Sequence, residues 1–471
     1  MADFDKVVAE AVAEAKKAPA ADQIGALSLI LKSKAPKPVI ERLHGREVLD
    51  SRGNPTVEVD VYAKYLGRVV LAARSSAPSG ASTGSNEARE LRDGDKRYGG
   101  KGTQKAAHNV DTILSPALAG KGFCSLKELD EKIIEVDGTE LKEKVGGNAS
   151  TATSFALAES AAALGEKQLF EYLACQYYGG CDAKPKKFKL PTPFFNILNG
   201  GKHAGGKLKV QEFMVCPGVG IAFPDGLRIV AEVYQKLGGI LTAKCGVSAR
   251  NVGDEGGFAP NLDTPEQALS FIEEAIKAAG YTPGKECCIG MDAAASEFYH
   301  KDTKKYEIEE GVFKTGDEMI TYWEELLKKH PAICSIEDGL DEKDYEHWVK
   351  LEARIGSKCQ IVGDDLLTTN WRTIEKAIAG KWCNALLLKV NQIGTITEAF
   401  RAARLMLEKG YKVMVSHRSG ETCNSVIADI AVAIGAQSIK TGSTARGERI
   451  QKYTRLLQIY EYLKEHDMLE C

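Results

Sequence analysis

Short apolar runs in the second half of the chain keep ending in a charged side chain. Cys287-Cys288-Ile289-Gly290-Met291 ends in Asp292, and Ala332-Ile333-Cys334-Ser335-Ile336 ends in Glu337-Asp338. Gln360-Ile361-Val362-Gly363 ends in Asp364-Asp365, and Ala385-Leu386-Leu387-Leu388 ends in Lys389. Lys412-Val413-Met414-Val415 leads into Ser416-His417-Arg418-Ser419. Amphipathic stretches such as 317–330 and 396–408 lie between the runs. Short, nearly continuous apolar runs suit strands of a parallel sheet covered on both faces. The alternation is βαβα. One charged group at the end of each successive strand is how a (β/α)8 barrel with a site on its C-terminal rim reads in sequence.

With 471 residues the chain is too long for one ordinary domain, and two are expected. It is 44% hydrophobic and 27% charged, as soluble globular proteins are. A net charge of -3 gives no basic field for nucleic acid or an anionic membrane surface, so neither is expected as a partner. No apolar run is long enough to span a bilayer. Asp3, Asp5, Glu10 and Glu14 make the N-terminus unlike a signal or transit peptide. The twelve cysteines show neither a disulfide framework nor zinc spacing. Several lie in or beside strand-like runs, where a reduced Cys packs as a small hydrophobe. A reducing, cytoplasmic setting is the expectation.

Three units are expected along the chain. Residues 1–36 carry two short amphipathic helices, at 5–17 and 22–34, which cannot bury themselves well alone. They read either as a self-packed appendage or as a docking element for a protein partner or a second copy of the chain. Residues 37–182 form a smaller α+β domain: strands at 41–49, 56–64 and 69–75, then helices at 105–118, 125–137 and 149–173. The loop Pro78-Ser79-Gly80-Ala81-Ser82-Thr83-Gly84-Ser85-Asn86-Glu87 is small, flexible and hydroxyl-rich, and suits a lid over an anionic ligand. Residues 183–471 form the barrel domain, entered through a Lys- and Pro-rich linker at 183–193. This domain also holds two Gly-rich segments, Asn199 to Gly206 and Asn251 to Gly257.

Taken singly, each strand-end residue has a bland reading: a helix cap for Asp, a snorkelling side chain for Lys. Together they make a site. Asp292, Glu337 and Asp364 offer three hard oxygen ligands from three strand ends, which suits Mg²⁺. Lys389, Arg418 and Lys440 add cations at the same rim. Carboxylates beside several cations imply a strongly anionic substrate carrying phosphate and carboxylate. Removing a proton next to a carboxylate concentrates negative charge. Metal ions must take that charge, and a base must sit on the other side.

The sequence resembles the enolase family from about residue 38 to about residue 463. The resemblance is carried by Leu49-Asp50-Ser51-Arg52-Gly53-Asn54-Pro55-Thr56-Val57-Glu58, Ser79-Gly80-Ala81-Ser82-Thr83-Gly84, Gly253-Asp254-Glu255-Gly256-Gly257, Leu386 to Thr395 and Ser416 to Thr422. It implies an atypical barrel capped by a small α+β domain, a homodimer, and reversible dehydration of 2-phosphoglycerate to phosphoenolpyruvate. A Lys or His base working with one or two Mg²⁺ ions is the established pattern of the superfamily. By resemblance, Asp292, Glu337 and Asp364 would hold the first of two Mg²⁺ ions and Ser82 the second. Lys389 would take the proton from C2. Glu255 and Glu212 would assist loss of the C3 hydroxyl, Glu255 as the acid, with Gln211 in support. Lys440 would neutralise the substrate carboxylate, and Arg418 and Ser419 would grip the phosphate. His203 would approach on its loop, and His417 would line the pocket.

The chain also departs from the family pattern. Gly339, Lys202 and Asn86 stand where many members have Pro, Ser and His. The turn Ser443 to Gly447 and the tail ending at Cys471 also differ, and residues 1–36 are an addition. None of these removes a catalytic group. Two other readings are a scaffold that uses an enolase body, recruited through residues 1–36, and a racemase or cycloisomerase on the same barrel. Arg418, Ser419 and the Glu212/Glu255 pair argue against the second.

Overall fold

The computed structural model describes residues 2–34, 37–81 and 84–470. The chain begins with helices α1 (Ala2–Ala15) and α2 (Gln23–Lys34), which pack on each other. Ala11 and Ala15 are buried, and Lys34 donates to Glu14 at 2.6 Å. Helix α1 ends before Pro19, which cannot continue it.

Strands β1 (Val39–Leu49), β2 (Pro55–Tyr65) and β3 (Arg68–Ser76) form an antiparallel sheet in that order. The turn between β1 and β2 is closed by Asp50, whose Oδ1 accepts from the backbone N–H of Arg52 at 2.8 Å and of Asn54 at 2.9 Å. Gly53 sits there at φ 76°, which a Cβ would oppose. Alternation along β2 sends Val57, Val59, Val61 and Ala63 to one face, fully buried. That face packs on the helix Gly147–Leu164, whose Ala- and Ser-rich sequence lets the sheet approach closely. The single helix expected over 149–173 is two: Gly165 ends the first, Glu166 takes φ 53°, and a second runs Leu169–Tyr178.

The barrel follows. Its first strands are β4 (Thr192–Asn199), β5 (Glu212–Pro217) and β6 (Cys287–Asp292). A small antiparallel sheet is then inserted: β7 (Tyr299–His300), β8 (Lys305–Glu309) and β9 (Val312–Lys314). The barrel resumes with β10 (Ile333–Glu337), β11 (Gln360–Gly363), β12 (Ala385–Leu388), β13 (Lys412–Ser416) and β14 (Ser438–Lys440). The ring runs β10-β11-β12-β13-β14-β4-β5-β6 and closes. Strand β5 is antiparallel to both neighbours, so the sheet is not wholly parallel as the apolar runs suggest. The other pairings are parallel.

Side chains alternate across the barrel wall. Phe194, Met214, Cys216, Val362, Ala385, Leu387 and Met414 fill the interior, with Cys288 and Cys334 against them. Phe195, Phe213, Val215, Leu386, Leu388 and Val413 face the surrounding helices. Those helices are started by their own caps. For Gly316–Lys329, Thr315 Oγ1 accepts from Glu318 N, and the Glu318 carboxylate accepts from Thr315 N at 2.7 Å. Met319, Ile320, Trp323 and Leu326 then recur at helical spacing on the buried face.

One cysteine pair departs from the all-reduced reading. Cys175 and Cys181 are joined in a disulfide at the C-terminal end of Leu169–Tyr178. They are six positions apart in sequence, across a turn begun by Gly179 at φ 81° that brings the chain back. Among the described residues, no helix is long and apolar enough to cross a membrane.

Candidate active site

Barrel geometry turns the order of strands into an order of charges. On the rim, the neighbours β6, β10 and β11 end at or just before Asp292, Glu337 and Asp364. The next three strands, β12, β13 and β14, lead into Lys389, Arg418 and Lys440. An acidic arc therefore faces a basic arc. Because β5 is reversed, its first residue, Glu212, reaches the same rim that the other strands reach with their last. Glu212 pairs in register with Asp292, and Asp292 with Glu337. Strand β5 lies four places from β12 in the ring of eight, so Glu212 and Lys389 stand across the mouth from each other.

Ten of the expected residues line one polar cavity there. They are Gln211, Glu212, Glu255, Asp292, Asp364, Lys389, His417, Arg418, Ser419 and Lys440, joined by Ala81 from the loop of the smaller domain. Glu337 lies beneath, 1% exposed, and is reached through Lys440. Ser82 lies outside the described residues, as do the side chains of Lys202 and His203.

Lys440 Nζ contacts three carboxylates: Asp292 at 3.0 Å, Glu337 at 2.9 Å and Glu212 at 3.1 Å. Burial opposes its charge, but Asp292, Glu212 and Glu337 outweigh burial and hold it well above the usual lysine value. One lysine does not offset three carboxylates. Burial, then repulsion from Glu255, pushes Glu212 well above the carboxylate range; burial, then Asp292, does the same to Glu337.

Lys389 Nζ pairs with Asp364 Oδ2. Burial lowers the pKa of Lys389, and Asp364, helped by Glu337, brings it back above the ordinary lysine value. For Asp364, burial raises the value, and Lys389 and Arg418 more than reverse it. A supporting chain lies behind the pair. Gln392 Nε2 donates to Asp364 Oδ1 at 2.8 Å and to Glu87 Oε1 at 3.2 Å, and Thr369 Oγ1 donates to Gln392 Oε1 at 2.7 Å. Arg418 donates to Glu87 Oε2 at 2.8 Å, both side chains being buried. Asp338, at φ 42°, accepts from the backbone N–H groups of Asp364 and Asp365 and so fixes that turn.

The smaller domain closes over the barrel by main-chain pairing. Ser79 and Gly420 exchange hydrogen bonds at 2.8 and 2.9 Å. Arg52 donates to the carbonyls of Ser79 and Gly80 and to Ser419 Oγ, tying the lid loop to the rim. A Cβ at Gly420 would overlap Asp50 Oδ2 and Arg52 Nη2, so this approach requires glycine.

On the β5 side, Asn196 Nδ2 donates to Glu255 Oε2 at 2.9 Å. His417 Nε2 stands 3.4 Å from the same oxygen. Burial lowers His417 to about 4, so the ring is neutral at pH 7.

Hard, anionic oxygen donors converge here in excess of the cations. The chemistry of Asp292, Glu337 and Asp364 fits a hard divalent ion such as Mg²⁺. Asp338, Asp364 and Asp365 also bring carboxylate oxygens within 4.8 Å of one another, and such a group can hold a metal. Asp338 already spends both oxygens on backbone N–H groups, so the rim set is the better ligand set.

Arg52, Glu87, Asn196, Gln392 and Arg449 were not singled out from the sequence. Arg52, Glu87 and Gln392 sit inside segments quoted above, so their position beside site residues was a usable signal. Asn196 and Arg449 had none. Residues 40–173 match the enolase N-terminal domain family, and residues 187–470 match the enolase C-terminal TIM barrel domain family. The two matches cover most of the chain beyond its N-terminal helices, in the order the fold displays, and the protein therefore belongs to the enolase family of lyases.

Proposed function

We propose that the protein reversibly dehydrates 2-phosphoglycerate to phosphoenolpyruvate, with Mg²⁺ held by Asp292, Glu337 and Asp364. The observation that carries this reading is the placement of Lys389 and the Glu212/Glu255 pair across the cavity from each other. Elimination of water from adjacent carbons needs a base at one and an acid at the other.

In this reading Lys389 removes the proton from C2. Lys440 faces the substrate carboxylate, where charge builds as the proton leaves. Arg418 and Ser419 hold the phosphate, and Arg418 is itself aimed by Glu87. Glu255, fixed by Asn196 and facing His417, delivers a proton to the C3 hydroxyl. The C3–O bond breaks, water departs, and the C2–H electron pair becomes the new double bond. Mg²⁺ held by Asp292, Glu337 and Asp364 would supply Lewis-acid stabilisation of the developing charge, and Asp364, once a ligand, would favour the charged form of Lys389 less. The lid tied down by Arg52 keeps bulk water from the acid and the base.

The test is the absorbance rise of phosphoenolpyruvate when the protein meets 2-phosphoglycerate and Mg²⁺, with and without chelator. A chelator-sensitive rise is expected. A folded protein with no rise, or with turnover only of non-phosphorylated acids, overturns the proposal.

A further inference from the structure

Arg449 lies in the final helix, Gly447–Glu465, and none of its side chain is exposed. Its guanidinium is spent on the site. Nη1 donates to the carbonyl of Arg418 at 2.6 Å and faces His417 Nδ1 at 2.7 Å. Nη2 donates to the carbonyls of Ser419 at 2.6 Å and Asp254 at 3.0 Å, and to Ser51 Oγ at 3.3 Å. Nε donates to Glu448 Oε1 at 3.3 Å.

A guanidinium has donors and no acceptor. The atom that faces it at 2.7 Å must therefore offer a lone pair, so His417 Nδ1 carries no proton. A neutral ring then has its proton on Nε2. Nε2 is buried, has no hydrogen-bond partner within the usual limits, and stands 3.4 Å from Glu255 Oε2. A small movement lets it donate there, as Asn196 already does.

We propose that Arg449 is a positioning residue for the reaction: it holds His417 as the neutral Nε2–H form aimed at Glu255, and it clamps the loop of Asp254 to the loop of Arg418 and Ser419. One contact set thus fixes the acid and the anion-binding residues relative to each other. A planar fork with five donors can do this, whereas a lysine, with one nitrogen, cannot span the same acceptors. The role rests on the reaction proposed above, but the tautomer does not.

The first measurement needs no variant. Nitrogen-15 NMR of the histidine ring in the intact protein at pH 7 is expected to show His417 unprotonated at Nδ1 and protonated at Nε2. The opposite tautomer, or an imidazolium, overturns the proposal whether or not 2-phosphoglycerate is turned over. Absence of turnover in the intact protein, with the expected tautomer, instead counts against the reaction. The second measurement uses Arg449→Met and Arg449→Lys. Exchange of the C2 proton with solvent depends on Lys389 and is expected to stay within about 3-fold. Water loss is expected to fall about 100-fold, as misplacement of a catalytic group by about 1 Å can cost. The KM for 2-phosphoglycerate is expected to rise. Arg449→Lys keeps a buried cation, so it serves if Arg449→Met does not fold. Equal loss of exchange and dehydration in the folded variants, or no loss of either, overturns the positioning role.

Discussion

Lys440→Met tests the electrostatic account of the rim most directly. The substitution keeps the length of the side chain and removes its charge. Lys440 is 2% exposed and lies within 3.1 Å of three carboxylates, so its loss removes the cation that Asp292, Glu337 and Glu212 share. At an effective dielectric of about 20, each such contact is worth roughly 5 kcal/mol before desolvation is counted. The carboxylates need not bear that in full, because one of them can take a proton. Protonating a group whose ordinary pKa is 4.5 costs about 3.4 kcal/mol at pH 7, at about 1.4 kcal/mol per unit. That is the ceiling for one carboxyl, and Glu212 and Glu337, already raised in the parent, bear part of it there, so the expected loss at pH 7 is about 3 kcal/mol, the low end of the range of about 3–5 kcal/mol typical of a broken buried pair. The sign of the pH dependence follows. Glu212 and Glu337 already sit above their ordinary value in the folded state, and the variant raises them further. A raised carboxyl favours the protonated fold, so stability relative to the parent recovers as pH falls toward 4.5. The penalty is expected to be smaller at pH 5.5 than at pH 7, by less than the about 2 kcal/mol a carboxyl still ionised in the parent would give, because Glu212 and Glu337 are already raised there. Urea unfolding of both proteins at the two pH values measures this, provided the m-value is unchanged. A penalty below about 1 kcal/mol that does not vary with pH would refute the reasoning.

Three further outcomes are expected. Lys389→Ala should abolish exchange of the C2 proton of 2-phosphoglycerate while the protein stays folded; retained exchange, followed by mass spectrometry in heavy water, excludes Lys389 as the base. Gly420→Ala should destabilise by about 1–3 kcal/mol, because its Cβ overlaps Asp50 and Arg52; an unchanged urea midpoint and unchanged activity would mean the two domains do not meet there as described. Removal of residues 1–36 should leave turnover within about 2-fold, since α1 and α2 pack on each other. A change of mass in solution on that deletion would show instead that the helices join copies of the chain or a partner.

Asp292, Glu337, Asp364 and Lys389 were legible because each directly follows an apolar run, whereas Glu255, in a Gly-rich loop, took its role only from the family resemblance. The same rule hides Glu212, which begins its run rather than ending it; it was named only through the family resemblance, and the reversal of β5 explains why. Supporting residues are harder to read. Glu87 and Gln392 are marked only by lying inside segments that carry the resemblance, and nothing in the spacing around Asn196, a polar group within strand β4, marks it as a partner of Glu255. Arg449 is a charged residue on the stripe that Tyr453, Leu456, Ile459 and Leu463 continue, and its side chain is wholly buried. The β7–β9 insertion was missed because its strands are short and half polar. The Cys175–Cys181 disulfide escaped because it closes a single turn and forms no framework.

Closure of the barrel sets a timetable for synthesis. Strand β4 begins at Thr192, and its second neighbour, β14, begins only at Ser438. At about 5–20 residues per second, roughly 12–50 s separate the two as the chain is made. Throughout that interval one edge of β4 has no strand beside it, and the interior around Phe194 and Met214 has an open wall. An unpaired edge next to exposed apolar surface invites pairing between chains. Products that stop short of residue 438 should therefore be insoluble as well as inactive, and the nascent chain should depend on whatever shields it until β14 emerges.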